Sequence, residues 1–273
     1  MTTGLAVSHA DTDFQLINLW LHGKALGTQE NYRRDWETFR NFTGKGMQQI
    51  TLGEVQHWLD CLEGSDATRN RKLMSIKSLF SFASKIGYVG FNVVAAVPAL
   101  KVKNTLAKRI LPEADVHTII ALEPNPRNKA FLSVLYYGAL RVSEVTGLCW
   151  DDLCNNVLTV YGKGGKTRFV KLPRRISGML EEMRQDDGPI FRSRKGGRAL
   201  TRMGAWEIVK VAVNRTHHPK ASPHWLRHAH ASHALDRGAP VHLVQGTLGH
   251  ASLSTTSRYV HVRPGESSGD YLA

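Results

Sequence analysis

Ser222-Pro223-His224-Trp225-Leu226-Arg227-His228 is the stretch from which the rest of the chain is read. Serine suits a helix N-cap, and proline suits the first helical position, where its fixed φ fits and no N–H is needed. Gly238 marks the far end, so one helix is expected over the segment. His224 and Arg227 stand at i and i+3 and share a face of the first turn. That turn also presents free N–H groups to an anion, so a histidine and an arginine placed there make a phosphate site. His224 and His228, at i and i+4, have a spacing that metal sites use. Trp225 stands where the His-Glu-x-x-His zinc motif has its glutamate, and no third ligand is evident, which weighs against zinc.

The charge of the whole chain agrees with a phosphate partner. Thirty-six Lys and Arg face 23 Asp and Glu over 273 residues, a formal net charge of +13. Such a field attracts polyanions, without separating DNA from RNA or an acidic membrane surface. No apolar run is long enough to span a bilayer, and the N-terminus lacks the pattern of a signal peptide, so a cytoplasmic protein with no membrane partner is expected. Cys61, Cys149 and Cys154 are scattered and read as reduced thiols without a function.

Upstream of the opening stretch, the N-terminal third reads as a helical unit. Phe14, Ile17, Trp20 and Leu21 recur at helical spacing, and Thr28 suits an N-cap ahead of Tyr32, Trp36 and Phe39. Thr51 and Glu54 form a capping box before Val55, Trp58, Leu59 and Leu62. A longer helix follows Ser65-Asp66, with Ile76, Leu79, Phe80 and Ala83 inward, and stops near Gly87. Arg33, Arg69, Arg71 and Lys72 suit the grip of a phosphate backbone, with a solvated basic face as the alternative. From Asn92 to Lys108 the pattern dissolves into small residues, a proline and lysines, the mark of a linker. Further on, Asn128 to Gly147 reads as apolar helix. Val157–Tyr161 and Arg168–Leu172 read as strands joined by a Gly-rich turn with lysines at its tip.

Two more segments complete the pattern. Leu248-Gly249-His250 precedes Thr255-Thr256-Ser257-Arg258-Tyr259, a piece that alone also fits a helix-turn-helix. Taken in order, GALRVSE (138–144), YGKGGKTR (161–168), HWLRH (224–228), LGH (248–250) and TTSRY (255–259) resemble the tyrosine recombinase, or phage integrase, family, and within it the Xer-like branch. The spacing agrees as well: twenty-three residues from Arg227 to His250 and nine from His250 to Tyr259. The likeness is good over 111–262. TQENYRRDWETF (28–39) and TRNRKL (68–73) resemble the family's core-binding domain more loosely.

The resemblance implies a mainly α fold with a small β-hairpin or sheet (α+β), arranged as a two-domain DNA clamp. A helical, SAM-like core-binding domain would span 1–98, a linker 99–110 and an integrase-type catalytic domain 111–273. By position, the catalytic set falls on Arg141, Lys163, His224, Arg227, His250 and the nucleophile Tyr259, with Glu144 in support. Lys166, three residues after Lys163, is the alternative acid, and Lys166 and Arg168 join the DNA-contacting residues. Ala139 stands where the family has glycine, a small-for-small change expected to be harmless.

These assignments make independent chemical sense. Attack on a phosphodiester builds negative charge on its oxygens, which the fixed forks of two arginines suit. A tyrosine is mostly neutral at pH 7 and needs a proton acceptor, for which His224 is the expectation. The leaving 5′-hydroxyl needs a donor, such as a hairpin lysine. The resemblance further implies strand exchange through a 3′-phosphotyrosine, without metal or other cofactor. The implied partner is double-stranded DNA with a specific site, bound by a homo-tetramer or by a hetero-tetramer with a second recombinase, in a nucleoid-associated setting. A type IB topoisomerase-like enzyme and a non-catalytic DNA-binding regulator are the alternatives. The short tail after Tyr259, with Pro264, Gly265 and Gly269, argues against a terminal helix that docks on a neighbour.

Overall fold

The computed structural model describes residues 10–103, 105–162, 165–184, 187–193, 197–250 and 252–259. The chain divides into two compact units, Met1–Lys103 and Asn104–Ala273.

Among its described residues the first unit packs four α-helices: α1 (Asp13–Leu21), α2 (Leu26–Thr43), α3 (Leu52–Cys61) and α4 (Asp66–Lys85). Their inward faces carry Leu16, Trp20, Trp36, Phe39, Trp58, Ile76 and Phe80, and Phe39 meets Trp58 edge-on with centroids 4.9 Å apart. Thr51 and Glu54 form the expected reciprocal cap on α3, and the Ser65 hydroxyl accepts the Thr68 N–H at the start of α4. Thr28 is not a cap. The first turn of α2 closes on the Ala25 carbonyl, which accepts from Thr28 and Gln29, so the helix begins three residues earlier. Phe14 faces solvent, and Leu16 takes the core position. The linker reading of 92–98 is also corrected: Asn92 caps a 3-10 turn (Val93–Ala96), and Val94 and Val97 are buried in the first unit's core.

The second unit holds α5 (Glu113–Ala121), α6 (Pro126–Tyr137), α7 (Val142–Thr146), α8 (Arg174–Glu181), α9 (Arg202–Val213), α10 (Pro223–Asp236), α11 (Val241–Leu248) and α12 (Leu253–Thr256). An antiparallel sheet in the order β1 (Leu153–Cys154), β2 (Val157–Tyr161), β3 (Thr167–Lys171) stands beside them. Tyr161 pairs with Thr167 and Val157 with Lys171, so Leu158, Val160 and Val170 turn inward together. The core gathers Phe131, Leu135, Leu148, Leu158, Phe191 and Leu226 around α6 and α10. The helix expected over 128–147 is two helices. The break falls at Gly138–Arg141, where Ala139 adopts a left-handed φ of 51°.

Candidate active site

Helix α10 opens the site as its sequence directs, with Ser222 at the N-cap and Pro223 behind it. The Ser222 side chain makes no capping bond; its carbonyl accepts the Trp225 N–H at 2.8 Å. His224 stands exposed on the first turn, while Arg227, one turn in, is 5% exposed. Two guanidinium nitrogens of Arg227 donate to the backbone carbonyls of Ala139 and Leu248. A buried arginine thereby ties α10 to the break after α6 and to the end of α11. The left-handed turn at Ala139 places one of those carbonyls, so the small-for-small exchange there carries backbone strain and is not cost-free.

Glu144 is the anionic hub. Its carboxylate accepts the Arg141 backbone N–H at 2.7 Å, the Arg141 guanidinium at 2.8 Å and Arg168 through two nitrogens at 2.9 and 2.8 Å. Arg227 lies 3.9 Å from the same carboxylate. Burial alone would raise the pKa of Glu144, but the bonds from Arg168 and Arg141 outweigh it and hold the group down to about 2. Arg168 also donates to the Thr247 carbonyl at 2.9 Å. Its side chain lies across Gly249, whose φ of +61° ends α11 and where a Cβ would come within 3.2 Å of the guanidinium.

Tyr259 is 4% exposed and packs with Ala139, Ala231, Val244 and Leu248. Its hydroxyl lies 2.5 Å from Nδ1 of His228 and within electrostatic reach of Arg227. His250 is oriented by the buried hydroxyl of Thr256, 2.9 Å from its Nδ1. Burial first, and then the neighbouring imidazole and arginine groups, push His228 and His250 down to about 4; His224, more open to solvent, shifts in the same direction through partial desolvation of its ring and the charges of Arg227 and Arg141. Arg227 falls to about 10 for the same reasons, and so remains charged at neutral pH. The result is a pocket of fixed cations and uncharged imidazoles around one engaged carboxylate, an arrangement that attracts an anion from outside.

The structure therefore gathers Arg141, Glu144, His224, Arg227, His250 and Tyr259 in one place. Lys163 lies outside the described residues, as does the tail after Tyr259; Lys166 is exposed at the hairpin tip. Arg168, expected on DNA, is bonded to Glu144 and α11, because a buried carboxylate between two segments needs a rigid two-pronged donor. In the first unit, Arg71 holds buried Asp35 at 2.6 and 2.8 Å, and Arg69 donates to the Leu59 carbonyl. Both are structural ties before they are surface cations. Arg33 bonds Asn18, and Lys72 is half-buried on α4. The sequence reading missed His228 as the group on the Tyr259 hydroxyl. Its i, i+4 relation to His224 is visible in the sequence, where it reads as a metal spacing. Among the described residues, no group of three His, Cys, Asp or Glu side chains is arranged to hold a metal ion. The helix-turn-helix reading of 248–259 gives way to a left-handed turn at Gly249 and a four-residue α12.

A mainly helical catalytic unit that sets a tyrosine hydroxyl among arginines and neutral histidines defines the class of tyrosine recombinases, site-specific DNA strand-exchange enzymes. Residues 109–266 match the phage integrase family and residues 16–87 the phage integrase N-terminal SAM-like domain, and the chain belongs to the phage integrase family. It is 33% identical to tyrosine recombinase XerD of Pseudomonas aeruginosa, over 94% of each chain. It is 30% identical to tyrosine recombinase XerC of Thermodesulfovibrio yellowstonii, over 92% of this chain and 93% of the relative. In fold it is similar to a lambda integrase fragment bound as a dimer to a COC' core site, with a TM-score of 0.76 and 20% identity over 94% of this chain and 96% of the other.

Proposed function

We propose that this recombinase cuts and rejoins strands of double-stranded DNA through a covalent bond between Tyr259 and the 3′ phosphate at the break. One observation carries the reading: the buried Tyr259 hydroxyl meets His228 within electrostatic reach of Arg227, near the point where Glu144 fixes Arg141 from behind. Arg141 and Arg227 would hold the non-bridging oxygens as charge builds on them, and His224 and His250 would donate further hydrogen bonds. Lys163 or Lys166, from the hairpin, would protonate the departing 5′-hydroxyl. The phosphotyrosine conserves the energy of the broken bond, so rejoining is the same chemistry in reverse.

The division of labour follows the expectation for the family: residues 1–98 as core-binding domain, 99–110 as linker and 111–273 as catalytic domain, closing round a specific duplex site in the cytoplasm, on the nucleoid. Exchange between two duplexes needs four nucleophiles and hence a tetramer on DNA, of one kind of subunit or of two. A lambda integrase tetramer bound to a Holliday junction, with a TM-score of 0.72 and 18% identity, shares the fold this would require.

The test is a nicked suicide duplex bearing the site that the full-length chain selects from a random-sequence pool. A covalent adduct that is lost in Tyr259→Phe is expected. An adduct retained by Tyr259→Phe, or none on any duplex, overturns the reading, the latter leaving a DNA-binding regulator. Relaxation of supercoiled plasmids that lack the site would point to a topoisomerase.

A further inference from the structure

We propose that His228 takes the proton of Tyr259 during strand cleavage, so that the base stands one helical turn away from His224. This rests on the assignment of Tyr259 as nucleophile. The geometry is direct: Nδ1 of His228 is 2.5 Å from the phenol oxygen, the rings are tilted by 37°, and their centroids lie 5.7 Å apart. His224 is exposed on the preceding turn, its ring centroid 6.5 Å from that of His228. A phenol is the stronger acid of the two partners, so between a neutral imidazole and a tyrosine the hydroxyl donates and bare Nδ1 accepts. The proton then points at His228, the group placed to receive it when the phenol oxygen attacks.

The charged and titratable groups facing His228 are His224, Arg227, Arg109, His250 and Tyr259 itself. Burial, and after it the nearby His224, Arg109 and Arg227, keep the ring uncharged at neutral pH. An imidazole in that setting is too weak a base to ionise tyrosine unaided. The arriving phosphate diester supplies the missing term, since its negative charge offsets Arg227 and Arg109 and stabilises an imidazolium beside it. In the step itself the Tyr259 O–H bond breaks and an N–H bond forms on His228 Nδ1. The phenol oxygen bonds to phosphorus, and the 5′ oxygen leaves with its electron pair and takes a proton from the hairpin acid. Rejoining returns the His228 proton to Tyr259.

The test compares adduct formation by the full-length chain, by His228→Asn and by His228→Ala on the nicked suicide duplex. Asparagine can still accept the phenol hydrogen bond but cannot carry its proton away. A base role predicts that both variants slow by about 10²-fold or more. It also predicts that both regain most of the rate when residue 259 is a fluorinated tyrosine, which ionises more readily, while the chain with His228 intact gains little. A structural role predicts that asparagine restores the rate and that fluorination helps all three alike; either result overturns the proposal. Circular dichroism and duplex affinity of His228→Asn confirm that it is folded and bound. If the unsubstituted chain forms no adduct, or Tyr259→Phe retains one, the assignment of the nucleophile fails instead, an outcome separate from the others.

Discussion

Replacing Arg168 by methionine separates two roles that the same residue could hold. The side chain is 12% exposed and gives two charge-assisted bonds, at 2.9 and 2.8 Å, to Glu144, itself 4% exposed. Methionine keeps most of the apolar stem but leaves a buried carboxylate short of its strongest partner. Breaking one side of a buried ion pair costs about 3–5 kcal/mol. Arg141 stays bonded to Glu144 and Arg227 stays 3.9 Å away, so the lower end applies, about 3 kcal/mol. In a unit of this size that corresponds to a fall in Tm of roughly 6–12 °C. The loss carries a pH signature. Glu144 has a depressed pKa in the fold, so its contribution is full above the ordinary value of 4.5 and is lost as pH falls toward about 2. The gap between the variant and the unsubstituted chain should therefore narrow over that interval, and adding Glu144→Gln to the variant should recover part of the loss. Urea titrations from pH 7 downward measure both. A loss under about 1 kcal/mol would place the pair among solvated surface pairs and refute the reasoning. The slope of log affinity for duplex DNA against log salt checks the other role. It should stay as it is in Arg168→Met, whereas loss of a phosphate contact would reduce it by about 0.9.

Gly138→Ala should destabilise the chain by about 2 kcal/mol, because the new Cβ would lie 2.5 Å from a Leu140 methyl and 2.8 Å from the Val134 carbonyl. Ala139→Gly, by contrast, relieves a φ of 51° while giving up a buried methyl, and should stay within about 1 kcal/mol in the same urea titration. Arg71→Met should unfold the first unit more easily by about 2 kcal/mol, since Asp35 is buried and loses both its bonds, while Lys72→Ala should leave stability alone and flatten the salt dependence of duplex binding. His228, His230 and His250 are all held near 4, below the ordinary 6.5, so the unfolded chain takes up protons first. Stability should then fall as pH drops from about 6.5 toward 4, and a flat Tm across that window would contradict the burial of these rings.

Much of the fold is legible wherever a local signal and a periodic pattern coincide. Thr51 with Glu54, Ser65 with Asp66, and Ser222 with Pro223 each announce a helix that the following apolar spacing sustains, and all three begin where expected. The strands of the hairpin are visible because alternation and the Gly-Lys turn agree. Thr28 misleads because a backbone turn on Ala25 supplies the cap without a side chain. The helix break at Ala139 is hidden for a deeper reason. Alanine is a good helix former, and nothing local asks it to adopt a left-handed φ; what accompanies that φ is a bond to its carbonyl from Arg227, eighty-eight residues away. Arg168 and His228 escape for the same cause. A sequence shows that an arginine or a histidine is present but not whether its partner is a carboxylate, a phenol or a phosphate.

That distant bond also explains why spacing was the informative part of the pattern. Arg227 is buried and donates at once to Ala139 and to Leu248, so the break after α6, the start of α10 and the end of α11 meet at one guanidinium. Gly249 must follow directly, since only glycine takes a φ of +61° readily there while leaving room for Arg168 across its face. The chain then turns back at once: His250 is fixed by Thr256, and a single short helix remains before Tyr259 must arrive over His228, on the turn of α10 that carries Arg227. Lengthening α11, α12 or the turn between them by one residue would rotate either His250 or Tyr259 out of this arrangement. The intervals from Arg227 to His250 and from His250 to Tyr259 are thus the path lengths of a closed loop pinned at a buried arginine. Isolated histidines, arginines and tyrosines elsewhere in so basic a chain carry no such constraint.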